Sequence, residues 1–383
     1  MKNLIVWMLV VLMMMNGTVF AVESFKVLDS KYTSWSTIIA ASYIRVGGVR
    51  LVDVEKNKMG VKEKEWGVDF EIVDISYPAC VEQYAAGQGD FVCITNIDIL
   101  PISLALESVA LDLTSTSYGA DGWVWAKKFQ NIEQLKGIVT RGPERSVSEY
   151  AQNRILQILG KNKRDYPFSN MDPAEVLTGM LEKKIEVGFL WNPEKMNVLR
   201  GLEGSHVPYN STMTPGEILD MIVASQKSLD RKDGDKAACA LLDIIYTFNR
   251  YLADPKTNEK TLGYLGKASF DLPLQDMITL VKETRFYPTP EINLDLIEGK
   301  CTVFPWGKEV KDIPSLFSNK SYIPNSTAVT SKKLQDVMPL VVKYNLDFKY
   351  VDKEPSISYG PRNATNPSNL RFDTTYIKKV MAR

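Results

Sequence analysis

Along the first hundred residues the apolar positions switch between a period of two and a period near 3.6, the mark of strands alternating with helices. Ser24 to Asp29 alternates as a first strand. Tyr32, Trp35, Ile38, Ile39 and Tyr43 follow in an apolar helical stretch, which Gly47-Gly48 is expected to close. Lys56 to Lys64 reads as a charged connector, Val68 to Asp74 alternates again, and Tyr77, Val81, Tyr84 and Ala85 return to helical spacing before a break at Gly87 and Gly89. Phe91-Val92-Cys93-Ile94 is then an unbroken apolar run rich in β-branched side chains, as expected of a strand covered on both faces. This order predicts a parallel sheet with right-handed crossovers, and such sheets hold ligands beyond the carboxyl ends of their strands. Thr95, Asn96 and Asp98 stand at that end and form the first expected pocket floor. The competing reading makes Thr95 or Asn96 a cap for the helix expected from about Ile97.

Ser108 to Leu113 supplies a further strand. Thr114 to Tyr118 reads as a small polar bridge ending in Gly119-Ala120-Asp121-Gly122, after which the pattern restarts. Strands are expected at Trp123 to Ala126 and Gly137 to Thr140, and a helix from Ser146 to Leu159. Asp172 as N-cap, Pro173 at the first helical position and Glu175 in the first turn predict another helix start, with Val176, Leu177, Met180 and Leu181 as its buried stripe. Ile185 to Leu190 is the next strand, ending in Trp191-Asn192-Pro193. A second polar bridge, Tyr209 to Gly216, leads to a strand from Leu219 to Ala224 and a long amphipathic helix from Ala237 to Leu252. Thr214 and Glu217 have capping-box spacing, yet Gly216 and Ile222-Val223 are poor helix material and favour a loop and strand. Further helices are expected around Asn293 to Ile297, Ser331 to Tyr344 and Asp373 to Met381, with a loop from Pro355 to Asn369. The expected division is one lobe over residues 22–117, a second over 118–212, and a return to the first over 213–383, with two hinge crossings.

Composition narrows the chemistry. The 383 residues carry 46 basic and 46 acidic side chains, interleaved and not massed, so no field draws the chain to nucleic acid. Lys2, the apolar run Leu4 to Met15 and Val19-Phe20-Ala21 fit a secretory signal cleaved near Ala21, which predicts a periplasmic protein. Cys80, Cys93, Cys239 and Cys301 show no metal spacing; three pairings, or buried free thiols, stay open. The one histidine, His206, has no nucleophile elbow to serve, and neither a P-loop nor a GxGxxG fingerprint occurs. No catalytic group, metal or cofactor is therefore expected.

Two α/β lobes without catalytic groups describe a hinged trap whose ligand touches both walls. Candidate cleft residues at strand ends and helix starts are Tyr32, Trp35, Asn96 and Asp98 from one lobe, Glu144, Ser146 and Ser148 from the other, and Asp121, Trp191 and Glu217 near the crossings. Aromatic faces with carboxylates suit a small cation or a polar N–H donor. Against this, Trp35 reads equally as core, Glu217 as a cap and Asp121 as a turn residue.

These residues carry a resemblance. The chain resembles the periplasmic solute-binding proteins of ABC importers, in the nitrate/sulfonate/thiamine-precursor-like group, and most closely the urea-carboxylase-associated branch linked to guanidine and related nitrogen compounds. That branch's Tyr-x-x-Trp is matched by Tyr32-Thr33-Ser34-Trp35, its Thr-Asn-x-Asp by Thr95-Asn96-Ile97-Asp98, its Asp-Gly by Asp121-Gly122, and its Glu-x-Ser-Val-Ser by Glu144 to Ser148. Pro215 to Ile218, Phe286 to Pro290 and Leu370 to Asp373 extend the likeness over nearly the whole mature chain. Departures are Ser36-Thr37 where the branch has Thr-Pro, and Arg145 in place of an apolar residue; an inward Arg145 or Arg141 would favour an anion. The resemblance implies a type II periplasmic-binding-protein fold and delivery of a ligand to a membrane permease, without fixing the ligand; the expected protein is a monomer that captures a small nitrogen-containing solute (guanidine, urea or amide type). The rivals are a nitrate, sulfonate, taurine or thiamine-precursor binder, an enzyme on the same fold, and a sensory binding protein.

Overall fold

A computed structural model of the protein describes residues 22–304, 312–317, 332–363, 365 and 367–383; the expected signal segment 1–21 and Ser331 lie outside them. The first strand, β1 (Ser24–Asp29), is followed by the helix Thr37–Ala41 and a small hairpin of β2 (Arg45–Val46) and β3 (Val49–Arg50). Gly47 and Gly48 therefore do not close the helix, which has already ended. With φ of 57° and 84° they make the two-residue hairpin turn that only residues tolerant of positive φ form readily. The charged connector also contains a helix, Val61–Trp66. Its buried Glu63 carboxylate accepts from the Asp53, Gly60 and Phe70 amides at 2.7, 2.6 and 3.1 Å, stitching the connector to the next strand.

That strand is β4 (Asp69–Asp74), and after the helix Tyr77–Ala85 comes β5 (Phe91–Thr95). β1 lies between them, parallel to both. β6 (Ser108–Ser117) is longer than expected: Thr114 to Ser117 remain in the strand and are buried, because β6 crosses the sheet core and is paired on both sides. The chain then builds a second sheet from β7 (Gly122–Trp125), β8 (Thr140–Gly142), β9 (Phe168–Asn170), β10 (Val187–Leu190) and β11 (His206–Asn210), in the order β11-β7-β10-β8-β9. β8 falls at the end of the stretch expected from Gly137, and Glu194–Gly201 is a helix the sequence pattern did not suggest. On the helix Pro173–Leu181, Val176 and Met180 are buried while Leu181 is exposed, since the stripe is narrower than its apolar sequence.

β12 (Leu219–Ser225) returns to the first sheet and inserts between β5 and β6, antiparallel to both. The sheet is thus mixed, not wholly parallel, because the chain re-enters from the second lobe running the other way. β13 (Thr284–Phe286) pairs one end of β6. The Pro355 to Asn369 segment contributes β14 (Ile357–Tyr359) beside β15 (Leu370–Phe372). The helix Gly234–Ala253 covers this sheet with fifteen buried residues. One apolar core runs through both lobes, and a smaller one around Val124, Val176, Met180 and Leu190 fills the far side of the second sheet. All four cysteines are buried, and Cys80, Cys93 and Cys239 are free thiols.

Candidate functional site

The two sheets are joined by crossings that run side by side. Ser117 N donates to Ile218 O at 3.2 Å, Ser211 N to Asp121 O at 2.9 Å, and Gly119 N to Ser211 Oγ at 2.7 Å, while the Ser117 and Ser211 hydroxyls are 2.7 Å apart. Directly above them, between the lobes, lies a small chamber walled by Ser30, Tyr32, Trp35, Tyr77, Thr95, Asp121, Val147, Trp191, Ile218 and Asp220. Its free volume is about 20 Å³, room for one or two water-sized groups.

Four aromatic rings stand in its wall. Trp35 and Tyr77 stack at 5.3 Å and 19°, Tyr32 leans on Trp35 at 5.0 Å, and Trp191 reaches from the second lobe to meet Tyr77 edge-on at 5.9 Å. Trp35 is 3% and Tyr32 6% exposed, yet Trp35 Nε1 and Tyr32 Oη complete no hydrogen bond. Buried polar groups are ordinarily paired, so two orphaned polar groups in the wall of one cavity call for a partner inside it.

The acids complete the wall. Asp121 enters from the first crossing, where its amide donates to Ser117 Oγ at 3.2 Å; burial pushes its carboxyl up to about 6 against pulls from Ser117 and Lys195. Asp220, from β12, takes a short hydrogen bond from Ser115 Oγ, and burial, with the Asp121 charge adding to it, drives its carboxyl well above the usual range. Asp98 stands just behind. Its Oδ2 accepts from Tyr77 Oη and from Thr95 Oγ1 at 2.7 Å, and burial raises it to about 6. Asp29, at the end of β1, is fully buried with neither oxygen bonded and is pushed by burial to about 7. Among the described residues no Lys, Arg or His lines the chamber.

The expected residues separate into three groups. Tyr32, Trp35, Asp121 and Trp191 meet around the chamber. Asp98, Glu144 and Ser146 line a groove of about 350 Å³ outside it, where the Ser146 hydroxyl caps the helix Val147–Ile158 and donates to Pro143 O at 2.8 Å. Asn96, Ser148 and Glu217 are buried elsewhere. Asn96 donates to Glu217 O at 3.0 Å and accepts from Leu219 N at 3.0 Å, pinning the second crossing to β5. Glu217 is gripped from the second lobe by Arg154, on both oxygens at 2.7 and 2.9 Å, and by Tyr150 Oη at 2.8 Å, while Lys332 of the returning chain adds a short contact. Burial alone would raise its carboxyl, but these bonds outweigh it and hold it down at about 2. A carboxylate so occupied has little capacity left for a ligand.

The pattern missed Tyr77, hidden in a helical stripe, and Asp220, although a lone acid in the apolar strand Leu219 to Ala224 is itself a signal. Arg141 donates to Ser169 Oγ at 2.8 Å and Arg145 lies over the Tyr350 ring, so neither faces the chamber. Among the described residues no group of three or more His, Cys, Asp or Glu side chains is placed to hold a metal, and no helix is long and apolar enough to cross a membrane.

Two α/β lobes, two crossings and a chamber between them define the two-lobed architecture of type II periplasmic binding proteins. The chain is similar in structure to the periplasmic aliphatic sulphonate binding protein SsuA from Escherichia coli, with a TM-score of 0.52 at 17% identity over 68% of this chain and 84% of that one. It is also similar to a putative sulfonate ABC transporter's periplasmic sulfonate-binding protein SsuA from Methylobacillus flagellatus KT (TM-score 0.54, 13% identity, 87% and 89% covered). A third likeness is to the periplasmic nitrate-binding protein NrtA from Synechocystis PCC 6803 (TM-score 0.54, 12% identity, 87% and 83% covered). At such identities the likeness is one of fold. No protein-family model matches the chain, and no curated protein matches it in sequence.

Proposed function

We propose that this protein is the extracytoplasmic solute-binding component of an ABC importer. It captures a small planar nitrogen compound of the urea, amide or guanidine type and hands it to a membrane permease. In this reading residues 1–21 are removed on export to the periplasm, the monomeric mature chain hinges at the crossings near residues 117–118 and 212–213, and no bond of the solute is made or broken. The observation that carries the choice of solute is the chamber wall: Asp121 and Asp220 supply acceptors, Trp35 Nε1 and Tyr32 Oη supply donors, and no cationic side chain is among the described residues that line it. A urea or amide offers N–H groups to the first pair and a carbonyl oxygen to the second; a guanidinium satisfies the acids but has no lone pair for the indole.

The second reading is an oxyanion such as nitrate or a sulfonate. The names of the similar structures favour it, and the two ring donors are compatible with it. Against it, a buried anion would stand beside two carboxyl groups, with no Arg or Lys among the described wall residues and with Lys195, which pulls on Asp121, already paired with Glu283. A thermal-shift screen of urea, acetamide, guanidine, nitrate, taurine, methanesulfonate and thiamine precursors separates the readings. A true ligand at a hundredfold excess over Kd adds about 2.7 kcal/mol to the folded state. Stabilisation by nitrate or methanesulfonate, with none by the N–H donors, would overturn the proposal.

A further inference from the structure

Beside the inner chamber, and sharing Ser30, Tyr77 and Trp191 as its wall, lies a second cavity of about 320 Å³. It too is interlobe: Asp74, Ser76 and Phe270 come from the side of the first sheet, and Asp172, Pro173 and Glu194 from the side of the second. Tyr77 and Trp191, in edge contact with each other, line both spaces. Pro78, Pro173, Ala174 and Ile75 give the outer cavity an apolar lining. Its charged groups are Asp74, Asp172, Glu194 and one lysine, Lys31, whose Nζ is 3.5 Å from Asp74 Oδ2 and 5.7 Å from the Phe270 ring centre.

The acids are not equivalent. Asp172 Oδ1 accepts from the Ala174 amide at 2.9 Å as a helix cap, and Asp74 has its lysine. Glu194 Oε2 is shut off from solvent and meets no hydrogen-bond donor among the described residues. Burial, with Asp172 contributing, raises that carboxyl to about 7. A carboxyl oxygen without a donor, on a residue of the outer cavity's wall and next to a head-group chamber too small for more than a few atoms, lacks a partner that a longer solute would bring.

We propose that the solute is a head-and-tail molecule: a compact N–H-rich head in the inner chamber, joined by a short alkyl chain past Tyr77 and Trp191 to an ammonium group that Glu194 receives. This deepens the reading above and rests on it for the head. Isothermal titration with two matched pairs tests it: N-butylurea against N-(4-aminobutyl)urea, and butylguanidine against 4-aminobutylguanidine. In the wild-type protein the amine-bearing member of the binding pair is expected to bind roughly tenfold or more tightly, as for a hydrogen bond to a charged group held away from water. In Glu194→Gln, confirmed folded by its thermal melt, that ratio is expected to fall below about threefold; a ratio taken within one protein cancels any general loss of affinity. Equal binding of the two members, or an advantage that survives in Glu194→Gln, overturns the tail while leaving the head reading standing. If no member of either pair binds and the small N–H donors fail as well, the head reading falls and the tail falls with it.

Discussion

At the scale of single residues, the chamber wall holds two buried donors, Trp35 Nε1 and Tyr32 Oη, that complete no hydrogen bond. Asp121 is the group whose charge should be felt most, since burial holds it near 6 and it faces the cavity. The affinity for a guanidinium should therefore decline as pH drops below about 6, where the carboxylate takes up a proton, and Asp121→Asn should bind at least roughly tenfold more weakly at pH 7.5 with a shallower profile from pH 5 to 7, the remaining slope coming from Asp98 behind the wall, also raised to about 6. Titration calorimetry across that range checks both, and an unchanged profile in the variant would remove Asp121 from the site. Trp35→Phe keeps the ring stacked on Tyr77 but deletes its N–H, so it should weaken urea more than guanidine, by about fivefold to tenfold. The sequence placed Tyr32, Trp35, Asp121 and Trp191 near one another by strand-end logic, because residues at those ends face a shared opening. It could not show that Asn96 and Glu217 spend their hydrogen bonds on the scaffold. That depends on partners 121 and 63 positions away, which no local pattern encodes.

At the scale of elements, the helix Val147–Ile158 joins the lobes. Tyr150 and Arg154 hold Glu217 of the second crossing, Glu149 accepts from Tyr350 Oη at 2.5 Å, and Tyr150 packs edge-on against Tyr344 at 5.0 Å. The helix Leu334–Asp347 and the turn after it thus strap the second lobe to the first. Removing the charge at Glu217 leaves Arg154 and Lys332 facing a neutral partner. Glu217→Gln should destabilise the protein by about 3 kcal/mol, the low end for a buried pair because both cations keep some contact with water. Thermal unfolding is the measurement to use, since urea and guanidinium are themselves candidate ligands; an unchanged melt would mean the ion pair contributes nothing net. Strands and helices with a clear period were legible from the sequence. Those that were not, the helix Val61–Trp66 and the polar end of β6, are held by tertiary contacts: Glu63 collecting three amides, and Ser115 bonded to Asp220.

At the scale of the whole molecule, several buried acids have carboxyls raised above their unfolded values: Asp29 and Glu63 to about 7, Asp98 and Asp121 to about 6, Asp112 to about 8. Between pH 4 and 8 the folded chain binds more protons than the unfolded one, so its stability should fall as pH rises through that window. Glu217, held at about 2, works oppositely; its contribution is complete above about 4.5 and lost as pH drops toward 2. The ligand-free protein should therefore melt highest near pH 5, and a maximum at pH 8 would contradict the burial of these acids. The return of β12 between β5 and β6 was not legible either, because strand direction follows from where the chain re-enters and not from its apolar period. That re-entry laces the outgoing and incoming chain into one two-stranded ribbon at Ser117, Asp121 and Ser211. A ribbon of this kind flexes as a leaf spring: bending at one strand is copied by its neighbour, and sideways shear is resisted. In the proposed function the opening motion follows the single arc that this ribbon allows, and loading of the trap is read outside the molecule as the width of one gap.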